Sequence, residues 1–195
     1  MIRTTLAALI WLCAVQASAI EVEGFEIAPQ IPAHDELPAM QLQGIAVRHV
    51  YGFVETYVGA LYLQQPLTNA ADILATDQAR RMMFHVLSSR VSARRFTNAI
   101  EEGLALNLSE AQNVQLKDRV QKLVALFDHK FNRGTIGYIE WLPTSQQTRI
   151  VINGEVKGTV PGKDLNDALL SIWIGEKPVS DSFRDAILDS SLAGF

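Results

Sequence analysis

Apolar and polar positions alternate along this chain with two different periods. Residues 42–50 and 53–63 are rich in β-branched and aromatic side chains and are divided at Gly52, which predicts two neighbouring strands. A third strand is predicted over 81–87, with Met82, Phe84 and Val86 on one face and His85 on the other. The period then lengthens. Phe96, Ala99, Ile100 and Leu104 recur at helical spacing to about Leu108, with Ser92 placed as the cap and Val91 and Phe96 as a hydrophobic staple. Ser109 and Gln112 form a capping-box pattern for a second helix, whose stripe runs through Val120, Leu123, Val124, Phe127 and Phe131.

Strand signals return over 135–142 and 148–160. Asn153-Gly154 divides the latter, a strong hairpin signal because both residues tolerate positive φ. Asp164 is placed to cap a helix carrying Leu165, Ala168, Leu169, Ile172 and Trp173, which stops at Gly175. Ser180 starts a short last helix with Phe183, Ala186 and Ile187. The order of strands, helices, strands and helices predicts an α+β fold, with an antiparallel sheet covered by helices on one face.

The first residues follow neither period. Arg3 is the only charge before Glu21, the apolar run over 6–15 is shorter than the ~20 residues that span a bilayer, and Ala17-Ser18-Ala19 follows. This predicts a signal peptide over 1–19, cleaved after Ala19, with no stable membrane anchor left behind. Ile10-Trp11-Leu12 lacks the small residues that a lipid-modified Cys13 requires. The expected destination is periplasmic or secreted. An extended lead-in over 20–40, held out of helix by Pro29, Pro32 and Pro38, precedes a single domain over 41–195.

Cleavage removes the one cysteine and Arg3, leaving 16 basic against 21 acidic residues. Disulfides and thiolate chemistry are thereby excluded, and an acidic chain without a basic run argues against nucleic acid as a partner. His34, His49, His85 and His129 form neither HxH nor HExxH spacings, so no metal site is expected. His85 reads as a surface or hydrogen-bonded histidine. GxSxG, P-loop and GxGxxG patterns are absent, and no cofactor is implied.

One residue breaks the apolar pattern. Arg48 ends the run Ile45-Ala46-Val47, and Tyr57 lies on the strand expected to pair with it. A guanidinium in apolar surroundings needs an anion, and its planar fork matches a carboxylate, to which a tyrosine hydroxyl can add a third hydrogen bond. Three arrangements remain open from the residues alone: a bound ligand's carboxylate, an internal acid such as Glu55, or solvent reached along the aliphatic stem.

These residues also carry a family resemblance. Gly44-Ile45-Ala46-Val47-Arg48 and Thr56-Tyr57-Val58-Gly59-Ala60-Leu61-Tyr62-Leu63 resemble the opening motif of chalcone isomerase-like proteins, in particular their exported bacterial branch. Val151-Ile152-Asn153-Gly154 running to Gly158-Thr159-Val160-Pro161-Gly162, and Ala168-Leu169-Leu170-Ser171-Ile172-Trp173-Ile174-Gly175-Glu176-Lys177-Pro178-Val179, extend it over roughly 41–188. The resemblance implies an open-faced β-sandwich, a large antiparallel sheet covered by helices with a ligand cleft between. The family includes plant enzymes that close a chalcone to a flavanone, and non-catalytic relatives that bind fatty acids.

By that resemblance, Arg48 matches the arginine of both groups, and Arg48 with Tyr57 matches the pair that holds a fatty acid's carboxylate. The threonine of the enzymes falls near Tyr57. Thr56 is adjacent, but strand alternation would turn it away. The enzymes' helical tyrosine and asparagine fall on Phe96 and Gly103, which lack the hydroxyl and the amide. The expectation is therefore a non-catalytic binder of a small apolar carboxylate, headed by Arg48 and Tyr57 and lined by Phe96 and Ile100. Two alternatives stand beside it: an isomerase or intramolecular lyase acting on a chalcone-like or other enone, and a structural protein that binds a partner. No oligomeric state is implied.

Overall fold

The computed structural model describes residues 19–52, 54–89, 92–127 and 131–192. Seven strands form one sheet in simple chain order, β3(Gln30–Ile31), β4(Met40–Val50), β5(Val54–Leu63), β6(Arg80–Val86), β7(Ile136–Leu142), β8(Gln147–Ile152) and β9(Glu155–Pro161). Every neighbouring pair is antiparallel. The β8–β9 turn places Asn153 and Gly154 at φ of 50° and 81°, the two positive values that a type I′ turn requires. The lead-in is more ordered than expected. It pairs β1(Ile20–Val22) with β2(Phe25–Ile27) in a separate hairpin and adds β3 to the edge of the sheet.

Among the described residues five α-helices accompany the sheet: α1(Ala70–Ala75), α2(Ala93–Asn107), α3(Glu110–Val124), α4(Lys163–Ile174) and α5(Asp181–Leu188). Ser92 caps α2 by accepting from the Arg95 N–H, and Ser109 with Gln112 closes a capping box on α3. Val91, the expected staple partner of Phe96, lies outside the described residues. Two expectations need correction. The stripe placed on α3 outruns the helix, which ends at Val124; Phe127 and Phe131 are buried beyond it. Asp164 does not cap α4. Gly162 precedes the helix, and Asp164 inside its first turn pairs with Arg119 instead.

The pleat sorts the sheet into two faces. Leu61, Leu63, Met82, Phe84, Val86, Ile139, Ile150 and Ile152 join residues of α2, α4 and α5 in the larger core. Helix α4 buries eight of its twelve residues, Leu165, Asn166, Ala168, Leu169, Leu170, Ile172, Trp173 and Ile174, between the sheet and its neighbouring helices. Glycine lets α5 approach: a Cβ on Gly44 would lie 2.5 Å from the Ile187 carbonyl oxygen, and one on Gly59 would lie 2.5 Å from the Phe183 ring. Gln43, an extra residue at a β4 bulge, ties this corner by donating to the Leu188 carbonyl and accepting from the Leu67 N–H. The opposite face is covered by the lead-in, with Ile27, Leu37 and Met40 packed against Val58, Ala60, Tyr62 and Met83.

Candidate functional site

Register brings Arg48 and Tyr57 together. They are directly opposed across β4 and β5, on the face that carries Ala46, Gly59 and Leu61 toward the helices. The pairing slips just after them, where Thr56 is the extra residue of a bulge. The Thr56 hydroxyl donates to the Arg48 carbonyl at 2.9 Å, so it braces the strand pair and does not join the aromatic side chains.

Arg48 is half-buried, and its Nη1 donates to the carbonyl of His49 at 2.5 Å. Among the described residues no carboxylate lies within ion-pair distance of it. Glu55, the internal acid that could have held it, stands 3.7 Å from His49. Tyr57 has a partner that strand pairing alone does not reveal. The Trp173 indole N–H on α4 donates to its Oη at 3.0 Å, across 116 residues of sequence. Burial pushes the Tyr57 hydroxyl up to about 12, against the smaller opposing effects of the Trp173 hydrogen bond and the Arg48 charge. Tyr57 is thus a neutral phenol across the physiological range.

Around this pair the core is aromatic. Phe84 stands 5.4 Å from Tyr57 between ring centroids, 5.0 Å from Trp173 and 5.4 Å from Phe96. Phe183 lies 5.9 Å from Tyr57, and Phe127 and Phe131 complete the cluster behind Phe96. These rings meet edge-on or tilted, which favours the contact of positive ring edge with negative face. Ile100 is fully buried in the same core, while Phe96 is partly buried at its margin. The helices therefore close on the sheet, and the void beside Trp173, lined also by Leu61, Arg80, Met82, Ile139, Asn166 and Leu170, holds only about 10 Å³. Ile100 belongs to this core and Phe96 packs against it.

Gly103 explains why α2 can pack so near α4. A Cβ there would lie 2.7 Å from Ile172 Cγ2, so an amide-bearing side chain has no space.

A model of the chalcone isomerase-like family matches residues 19–189. The chain belongs to that family. The expected open-faced sandwich is the observed fold: a fatty-acid binding protein from Arabidopsis thaliana superposes with a TM-score of 0.68 at 19% identity, over 90% of this chain and 99% of that one. No curated protein matches the sequence. Within this chalcone isomerase-like fold, Arg48 and Tyr57 stand opposed beside an aromatic core, with Trp173 hydrogen-bonded to Tyr57. Trp173 was readable beforehand only as one position of an apolar helical stripe, since nothing in its spacing points to a tyrosine on a distant strand.

Two titratable groups on the opposite face have neighbours of their own. Glu140, on the lead-in side of the sheet, is gripped by Arg81 and Arg149 at 2.6 Å each. His85, expected at the surface or hydrogen-bonded, is buried with its ring against Phe25, and desolvation followed by the nearby Arg133 charge lowers its pKa. Among the described residues no three His, Asp or Glu side chains gather to hold a metal. No described helix is long and apolar enough to cross a membrane.

Proposed function

We propose that this chain is a non-catalytic binder of a small apolar carboxylate, a fatty acid or a molecule of like chemistry, and that it works after export to the periplasm or the medium. The observation that carries the reading is the pairing of Arg48, a guanidinium with no carboxylate partner among the described residues, with the neutral hydroxyl of Tyr57. A carboxylate placed between them completes the guanidinium fork and accepts the phenol proton. Its hydrocarbon part lies against the ring of Phe96 and the core that Ile100 helps to build. The fatty-acid binding protein that shares the fold supports this choice of ligand class.

Two observations favour binding over isomerisation. Phe96 and Gly103 place hydrocarbon and a bare backbone where the family's enzymes carry a tyrosine and an asparagine, and Ile172 leaves no room at Gly103 for a longer residue. Tyr57, the phenol nearest Arg48, holds its proton too tightly to serve as a base near neutral pH. The export reading rests on the leader pattern over residues 1–19.

Native mass spectrometry with lipid extraction, on protein purified from its own host, tests the reading. A co-purifying acid, lost in Arg48→Ala while the fold remains, is the expected result. Empty protein that fails to take up added long-chain acids would overturn it.

A further inference from the structure

We propose that Trp173 is a specificity-determining residue: by occupying the acceptor of Tyr57, it turns the site into one that offers donors only and so selects a carboxylate over a neutral alcohol or amide. This inference rests on the reading of Arg48 and Tyr57 as the ligand's anchor.

The argument starts from what a phenol can do. Its oxygen accepts one strong hydrogen bond through the in-plane lone pair and donates one through its proton. In this protein the acceptor is taken, because Trp173 Nε1 donates to Tyr57 Oη at 3.0 Å. An indole N–H has no acceptor capacity, so it cannot reverse this bond. The phenol proton must therefore point elsewhere, and no described group receives it. Arg48 adds N–H groups and has no acceptor either. A ligand oxygen arriving between Arg48 and Tyr57 meets their N–H and O–H donors, and the acceptor beside them, the His49 carbonyl, is already engaged by Arg48 Nη1.

A carboxylate satisfies that set completely, whereas an alcohol or amide brings a proton of its own that finds no acceptor. Leaving that proton unpaired in an apolar setting costs affinity, and the penalty falls on the neutral ligand alone. The position of Trp173 makes the arrangement rigid. It is 2% exposed, on the enclosed helix α4, and its ring is held against Phe84.

The test compares dodecanoate with dodecan-1-ol, titrated into wild-type protein, Trp173→Phe and Tyr57→Phe. The wild type is expected to prefer the carboxylate by about tenfold or more. Trp173→Phe, which keeps a ring and removes the N–H, should reduce that preference by about tenfold. Tyr57→Phe should do the same, and Trp173→Phe should add nothing further in that background. A change confined to packing would weaken both ligands alike and leave the ratio intact.

A measurement on the wild type guards against a variant that fails to fold. Dodecanoate drawing on the phenol proton makes Tyr57 Oη a better acceptor, so the Trp173 indole N–H resonance should move further downfield with dodecanoate than with the alcohol at equal occupancy. Dodecanoate binding with an unmoved indole resonance, or an unchanged preference in Trp173→Phe, overturns this inference and leaves the anchor reading standing. No dodecanoate binding by the wild type overturns both.

Discussion

Arg80 and Arg48 stand on the same face of the sheet, on strands separated only by β5, and their surroundings differ. Arg80 is 2% exposed and enclosed: its Nε donates to Asn166 Oδ1 at 2.7 Å, Nη1 to the Ile73 carbonyl at 2.9 Å, and Nη2 to Asp167. Lys163 braces Asp167 from the next turn of α4, and Asn166 reaches Thr148. Arg48, by contrast, has one backbone carbonyl and a tyrosine beside it. An arginine that holds a fold together is surrounded by its own chain's acceptors. One whose fork is left incomplete, next to a free phenol proton, is placed to receive something from outside.

The contrast can be broken at several points. The largest expected effect is at Arg80. Its truncation to alanine strands buried acceptors on Asn166 and Ile73 and should cost about 3–5 kcal/mol, read by denaturant unfolding. Next is Gly103→Asn, which restores the amide of the family's enzymes on α2. Its Cβ meets Ile172, so it should destabilise by about 1–3 kcal/mol without creating chalcone cyclisation, as an absorbance assay of flavanone formation would show.

A pH series sharpens the role of Tyr57. Its folded pKa is raised above the unfolded value of about 10, so its contribution to stability is complete below pH 10 and fades as pH climbs toward 12. The loss should be on the order of 2–3 kcal/mol, and that share should vanish in Tyr57→Phe. Tyr62 on the other face, also raised by burial, keeps its own share in that variant. The smallest effect on stability belongs to Arg48→Ala, expected within about 0.5 kcal/mol of wild type by thermal unfolding, since no ion pair is lost.

The sequence announces these regions unequally. Local signals held: Ser92 and Ser109 cap their helices, Asn153-Gly154 turns the hairpin, and alternation sends Phe84 to the helices and His85 away from them. Each depends on residues within a few positions of one another. The misreadings came where tertiary packing imitates a local pattern. Phe127 and Phe131 continue the spacing of α3 although the helix has ended, because the aromatic core buries them from the following connection.

The hairpin of β1 and β2 was hidden for a different reason. Its turn uses Glu23 at φ 52° before Gly24, outside the usual Asn-Gly or Asp-Gly signature. Short α1 carries too few residues to display a period. At the site, Arg48 and Tyr57 were visible as a charge and a phenol on neighbouring strands. Trp173 was not, because its hydrogen bond depends on how α4 crosses the sheet.

The central claim is that Arg48 serves a ligand and not the fold. Calorimetric titration of dodecanoate into wild-type protein and Arg48→Ala, with unfolding curves measured on the same samples, tests it most directly. The account predicts a loss of affinity of about tenfold or more, as expected for removing a hydrogen-bonded charge partner, with unfolding nearly unchanged. Equal affinity in the two proteins, or a collapse of stability in the variant, would contradict it.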